Sequence, residues 1–298
     1  MTSGQNLRGI TLMLVSMALF AVEDMFIKIA ARDIPPGQII LIAGLFGLPP
    51  FLWMARRGGH RVFSRAALHP AGLARAAGEM VGSLAYIIAI SSVPLPTVSA
   101  VLQVLPLAVT LGAALFMGET VGWRRWSAIA VGLSGVLLVI RPGFDGFSPT
   151  AMWVLVTVAA LAVRDLATRA IPPDCSDAQI SSWGLMSVAL LGAMMMAWSG
   201  EAVTPDATQA AGLAAMVVFG AAGYWAITAA SRTGEVSVVA PFRYSRLVFA
   251  ILIGAFVFDE AADALTLAGS ALIIGSGIYS FARERARKRA LSMAGPAG

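Results

Sequence analysis

Charge is what this chain of 298 residues most lacks: Asp, Glu, Lys and Arg together make up 12% of it. A soluble domain carries about 25% charged residues, so a water-facing globular fold is excluded. Cysteine occurs once, at Cys175, and no intrachain disulfide can form. The two histidines, His60 and His69, fall in one basic stretch, and nothing resembles a Cys/His cluster. HExxH, P-loop and Gly-x-Ser-x-Gly patterns are all missing, which removes the usual grounds for hydrolysis or ATP-driven pumping. The expectation is a protein that is not an enzyme and holds no cofactor and no metal.

What is there instead is apolar residue in long runs. Hydrophobic residues are 58% of the chain and mean hydropathy is +0.80. A spanning helix needs about 20 mostly apolar residues. Ten such stretches can be read, at about 7–31, 34–55, 72–93, 96–117, 123–140, 149–171, 177–198, 209–231, 235–258 and 262–281. The fold class is therefore an all-α polytopic membrane protein with ten transmembrane helices. The first run carries Glu23 and Asp24 and lacks a small-residue cleavage site, so it reads as a retained span rather than a signal peptide.

The scarce charges are sorted by side. One side holds Arg8, Arg56, Arg57, Arg61, Arg65, Arg124, Arg125, Arg169, Arg232 and the run Arg283, Arg285, Arg287, Lys288, Arg289. The other holds only Arg32 and Arg141, beside Asp33, Asp145, Glu201, Asp206, Asp259, Glu260 and Asp263. Basic loops stay cytoplasmic, so both termini are expected inside, in a bacterial inner membrane. The pI near 10 then reflects these loops and a tail lying by anionic lipid, not nucleic-acid binding.

The polar residues also repeat. Asp24 and Lys28 recur as Asp165 and Arg169, 141 residues on, and Glu119 recurs at the same offset as Glu260. Ile34-Pro35-Pro36 echoes Ile171-Pro172-Pro173, Gln38 echoes Gln179, and Val98-Ser99 echoes Val236-Ser237. This order predicts two five-helix repeats, residues 1–141 and 142–298. An odd span count forces them into opposite orientations, and two inverted five-helix repeats are a recurring plan of secondary transporters.

Each charge near a helix centre in the membrane costs roughly 2.5 kcal/mol or more and needs a partner or a cavity. Glu23, Asp24, Lys28, Arg75, Glu79, Arg164, Asp165, Arg243 and Arg246 are in that position. Spacing of i,i+4 predicts the pairs Asp24 with Lys28, Arg75 with Glu79, and Asp165 with Arg169. Lys28 and Arg75 lie near enough to an interface to snorkel. Glu79 and Arg243 are the stronger substrate candidates, joined by Tyr86, Gln103, Tyr224, Trp225 and Tyr244 on the same spans. Asp24, Lys28, Arg164, Asp165 and Arg246 are read as ion-pair, proton-carrying or gating groups. Pro106 and Pro241 lie inside the fourth and ninth spans, where either a break or a kink would serve. Gly78 with Gly82, Gly132 with Gly135, and Gly269 with Gly275 read as close helix approaches. Trp53, Trp123, Trp126 and Trp198 read as interfacial anchors.

With these features the chain resembles the drug/metabolite transporter superfamily, in its EamA-type branch. The resemblance rests on two five-span halves whose fourth spans close on Leu115-Phe116-Met117-Gly118-Glu119 and Phe256-Val257-Phe258-Asp259-Glu260, and on Pro241-Phe242-Arg243-Tyr244-Ser245-Arg246-Leu247. Leu247 departs from the first half, which has Pro106 at the matching position. The resemblance implies a secondary transporter with its cavity between the halves, lined chiefly by the third, fourth, eighth and ninth spans. Relatives of this kind resemble amino-acid exporters; others carry nucleotide sugars, vitamins or S-adenosylmethionine. The expected function is export of small metabolites, amino acids foremost, by alternating access. Arg243 would attract a carboxylate, Glu79 or Asp24 an ammonium group, and the aromatics an apolar side chain. The alternative is uptake or exchange of an organic anion, vitamin or nucleotide-like metabolite, such as S-adenosylmethionine or riboflavin. A channel or a membrane enzyme lacks a filter segment or a reactive cluster to support it. The expected partners are a small-molecule substrate and the lipid bilayer, with the protein a monomer or homodimer.

Overall fold

In hydrocarbon a backbone must satisfy its own hydrogen bonds, and a helix does so within one segment. The apolar runs accordingly become helices. The computed structural model describes residues 3–62, 65–143, 148–172, 174–233 and 235–293. They form α1 (Ser3–Ala30), α2 (Pro36–Arg57), α3 (Pro70–Ser92), α4 (Leu95–Leu102), α5 (Leu105–Phe116) and α6 (Trp123–Ile140). The chain continues with α7 (Met152–Arg169), α8 (Asp177–Ser199), α9 (Ala207–Thr233), α10 (Val236–Val239), α11 (Ser245–Val257) and α12 (Ala264–Met293). Ten helices among the described residues are long and apolar enough to cross a membrane, as the runs predict; α4 with α5 makes one span, and the ninth includes α11. The protein is a multi-pass membrane protein. Asp145, Pro173 and the side chains of Arg65, Val236, Ser237, Arg285, Arg287, Lys288 and Arg289, all used in the sequence reading, lie outside the described residues.

Local chemistry sets where helices begin. Pro36, Pro70 and Pro96 occupy first turns, where a missing N–H costs nothing. Ser176 and Gln179 form a reciprocal capping box at the start of α8.

The main pairings all join residues before position 141 to residues after it: α1 with α9, α2 with α8, α3 with α7 and α6 with α12. Between apolar helices in lipid there is little hydrophobic drive, so association depends on close backbone approach at small residues. Added to Gly135 of α6, a Cβ would lie 2.6 Å from the Gly269 carbonyl oxygen of α12; added to Gly78 of α3, it would lie 2.7 Å from that of Ala160 in α7. Gly275 differs from expectation. It has nothing within 4 Å, and Gly277 makes the approach instead, against the Tyr244 ring. Ile39, Ile90, Leu107, Met216 and Ile273 fill the interior, while Trp53, Trp123, Trp126 and Trp198 are exposed on the outer surface, as anchors would be.

Two side-chain tethers recur across the pairings. Gln38 of α2 donates to the Val203 carbonyl at 2.8 Å and accepts from its N–H at 3.0 Å, fixing the α8–α9 connection. Gln179 of α8 donates to the Arg61 carbonyl at 2.8 Å, fixing the α2–α3 connection.

Candidate functional site

Two spans are broken near their middles, and the breaks meet. The helix stops after α4 at Gln103 and restarts at α5 with Pro106 in the first turn. In the ninth span, α10 gives way to a 3-10 turn, Ala240–Tyr244, which contains Pro241 and leads into α11. Gln103 Nε2 bridges the two, donating to the carbonyls of Tyr244 at 3.2 Å and Arg243 at 3.4 Å. Backbone freed from a helix in lipid must find such partners or face a polar cavity. Here it does both, because Gln103, Pro106, Pro241, Arg243 and Tyr244 all line one cavity of ≈ 810 Å³.

The cavity wall is apolar and aromatic with a few charges. Phe20, Phe51, Leu161, Leu185, Met216 and Val217 supply apolar surface; Glu23, Arg75, Glu79, Arg164, Asp165, Arg243 and Arg246 supply charge. The wall reaches Thr168, Ser181 and Phe281, at the basic-loop ends of α7, α8 and α12, but not Lys28 or Glu260 at the opposite end.

The charges form two networks. In the first, Arg246 of α11 embraces Asp24 of α1, with Nη2 at 2.7 and 2.8 Å and Nε at 3.1 Å from the carboxylate oxygens. The Tyr86 hydroxyl of α3 also donates to Asp24, which is 2% exposed, and the Phe20 ring lies 5.4 Å from the guanidinium. In the second, Glu79 of α3 is ion-paired with Arg75 at 3.3 Å and accepts from Arg164 of α7 at 3.2 Å, while Arg164 also pairs with its neighbour Asp165 at 2.8 Å. Gly184 of α8 makes room for this second network: a Cβ there would lie 3.1 Å from Glu79 Oε2.

Of the candidates read from sequence, Glu79, Gln103, Tyr224, Arg243, Tyr244, Arg164, Asp165 and Arg246 line the cavity. Tyr86 and Asp24 stand behind the wall, acting on it through Arg246. Trp225 does not belong to it. At 67% exposure its ring faces outward, one helical position away from the inward Tyr224. Lys28 is also displaced from expectation: it neither pairs with Asp24 nor snorkels, but is buried, 2.7 Å from Glu260 and 2.7 Å from the Val93 carbonyl. Asp165 likewise takes Arg164 rather than Arg169, and Arg169 reaches Glu119 at 3.2 Å. Only Arg75 with Glu79 keeps its i,i+4 pairing, and Arg75 too is held in rather than snorkelling. The other two fail because the connections after α5 and α11 bring Glu119 to Arg169 and Glu260 to Lys28 more directly than a carboxylate a turn along. The sequence reading noted Glu23 and Arg75 as charges at depth but gave neither a place in the site. Thr168, Ser181, Phe20 and Phe51 gave no signal. Ser181 and Tyr224 share a 3.0 Å hydrogen bond, and Phe51 meets the Tyr224 ring edge-on at 4.8 Å.

Residues 7–141 match the EamA-like transporter family. The first five spans are EamA-like. The resemblance read from the sequence is borne out, and curated relatives extend it beyond the matched half. The riboflavin transporter of Rhizobium johnstonii is 27% identical over 217 residues, 73% of this chain and 72% of that one. The pseudopaline exporter of Pseudomonas aeruginosa is 26% identical over 267 residues, 89% of this chain and 93% of the exporter. The S-adenosylmethionine uptake transporter of Rickettsia prowazekii is 22% identical over 94% of both chains. A crystal structure 19% identical in sequence shares the fold with a TM-score of 0.58, over 97% of this chain and 99% of the other.

Proposed function

We propose that this chain is a secondary transporter of small carboxylate-bearing metabolites, amino acids foremost, exported across a bacterial inner membrane by alternating access of two inverted five-span halves. One observation carries the reading. A cavity of ≈ 810 Å³, the size of a small-molecule site, lies where two interrupted spans cross, and Arg243 stands in its wall without an ion pair among the described residues. Interrupted helices in corresponding positions are where transporters of inverted design bind substrate.

Inversion is supported by contacts that come in exchanged pairs. Position 141 residues on, α1 corresponds to α7 and α9 to α3, and α1 packs on α9 as α7 packs on α3. Gln38 and Gln179 tie opposite connections by the same bond. Lys28 with Glu260 and Arg169 with Glu119 are likewise repeat mates, each joining the two halves. The basic loops argue for termini inside, and the named relatives are transporters of riboflavin, pseudopaline and S-adenosylmethionine.

The second reading, exchange of an organic anion, vitamin or nucleotide-like metabolite, draws on the four arginines of the wall and on the riboflavin and S-adenosylmethionine relatives. Counterflow of labelled amino acids and organic anions into proteoliposomes separates them. Saturable amino-acid exchange, reduced at least about ten-fold by Arg243→Gln, is the expected result. Exchange of anions without amino acids favours the second reading, and no saturable exchange of either defeats both.

A further inference from the structure

Sequence reasoning offers Glu79 or Asp24 as the group that would meet a substrate ammonium, yet both are already engaged. Glu79 is shared by Arg75 and Arg164, and Asp24 is enclosed by Arg246 and Tyr86. Asp165 is held by Arg164. Among the acids in the cavity wall, the Glu23 side chain is left without an ion pair or hydrogen bond among the described residues, as the Arg243 side chain is among the bases.

The setting of Glu23 suits a ligand contact rather than a filled core. Its carboxylate lies against Gly220 of α9, where an added Cβ would come within 2.8 Å of Glu23 Cδ. The niche left by the missing side chain is the one the carboxylate occupies, and Gly220 is itself part of the cavity wall. Phe20 and Met17, about one and two turns back on α1, and Val217 on α9 surround the niche with apolar surface. Glu23 and Arg243 thus bring a carboxyl and a guanidinium, neither held in an ion pair, to the same cavity, from α1 and from the turn between α10 and α11. Unpaired charges away from water are costly, and a ligand with the complementary charges offsets both at once.

We propose that Glu23 recognises the ammonium group of a zwitterionic substrate whose carboxylate is taken by Arg243, with an apolar side chain against Phe20 and Met17. The proposal rests on the transport reading above and narrows its substrate class to amino acids with apolar side chains, as distinct from organic anions.

The test compares leucine and phenylalanine with their 2-hydroxy acid analogues, which keep the carboxylate and lose the amine. Purified full-length protein in proteoliposomes is assayed by exchange of the labelled amino acid, with each analogue as competitor. Glu23→Gln is expected to weaken the amino acids about ten-fold, equivalent to ~1.4 kcal/mol, while hydroxy-acid inhibition stays within about two-fold. Arg243→Gln should weaken both classes. Glu23→Asp retains the charge and should recover part of the loss, which separates recognition from a folding defect. The assignment is overturned if Glu23→Gln leaves amino-acid affinity within about two-fold, or weakens both classes equally. In those cases the transport reading survives; wild-type protein that exchanges neither class overturns both.

Discussion

Gly184 shows how a residue with no side chain holds a charged site together. It sits where α8 crosses the Arg75–Glu79 pair, and any Cβ there presses on Glu79 Oε2 at 3.1 Å and more closely still on Arg75. Overfilling a packed interior costs roughly 1–3 kcal/mol, and here the displaced atoms are buried charges. Gly184→Ala should therefore lower the melting temperature in detergent and impair transport, whereas Gly275→Ala, with nothing within 4 Å, should change neither. Equal melting temperatures for the two variants would contradict this account. At this scale the sequence was half legible. Charges at membrane depth announce themselves by cost, so Glu23, Asp24, Glu79, Arg243 and Arg246 could all be picked out. Apart from Arg75 beside Glu79, their partners could not be singled out, because Arg246 meets Asp24 across 222 residues and helical periodicity carries no information about neighbouring helices. The same limit misplaced Trp225, whose neighbour Tyr224 takes the inward direction that a helix allows to only one of them.

Whole spans were the most legible feature, since hydropathy is a local property and each run had to become a helix. The breaks were less so: Pro106 has Leu247 as its repeat mate, and the second break comes instead from Pro241, earlier in its span. What neither run nor proline reveals is how span ends are fastened. Lys28 with Glu260 is the buried fastening, with side chains 8% and 22% exposed, and Glu260 also accepts from the Leu95 N–H at the start of α4. Arg169 with Glu119 is its exposed counterpart, at 50% and 46%. Removing one partner of a buried pair costs about 3–5 kcal/mol, while an exposed pair contributes under about 1 kcal/mol. Lys28→Met should thus destabilise far more than Arg169→Met, and Lys28→Met with Glu260→Gln together should recover much of the loss. Similar melting temperatures for the two single variants would defeat the distinction. A third fastening, Arg141 to Asp263, ties the end of α6 to the start of α12. The Arg141 guanidinium, with the Thr266 N–H, holds the Asp263 carboxyl well below the usual carboxylate range. A depressed folded value means that the stabilisation is present at neutral pH and is lost as pH falls below about 4. Because the Asp263 side chain is 51% exposed, Asp263→Asn should lower the melting temperature by only about 1–3 °C at pH 7 and by less in acid.

The loops give the whole molecule two ends that differ in charge, and the orientation proposed from them determines which compartment loads the cavity. The wall extends toward Thr168, Ser181 and Phe281, at the basic end, while Lys28 and Glu260 join the halves at the acidic end. With basic loops in the cytoplasm, this arrangement receives cargo from inside, as an exporter must. The chain carries its own reporter of that orientation, Cys175, which lies between α7 and α8 at the basic end and is partly exposed. Burial, reinforced by the neighbouring Asp174 carboxylate, pushes its thiol up from the ordinary value. The thiolate is the reactive form, so a membrane-impermeant maleimide should label Cys175 slowly at pH 7 and about ten-fold faster for each pH unit above it until the thiol is titrated. Labelling should occur in inside-out vesicles and not in intact cells, and Cys175→Ser should abolish it. Labelling from the outside of intact cells would reverse the orientation, place the cavity mouth in the other compartment, and turn the exporter into a protein loaded from outside.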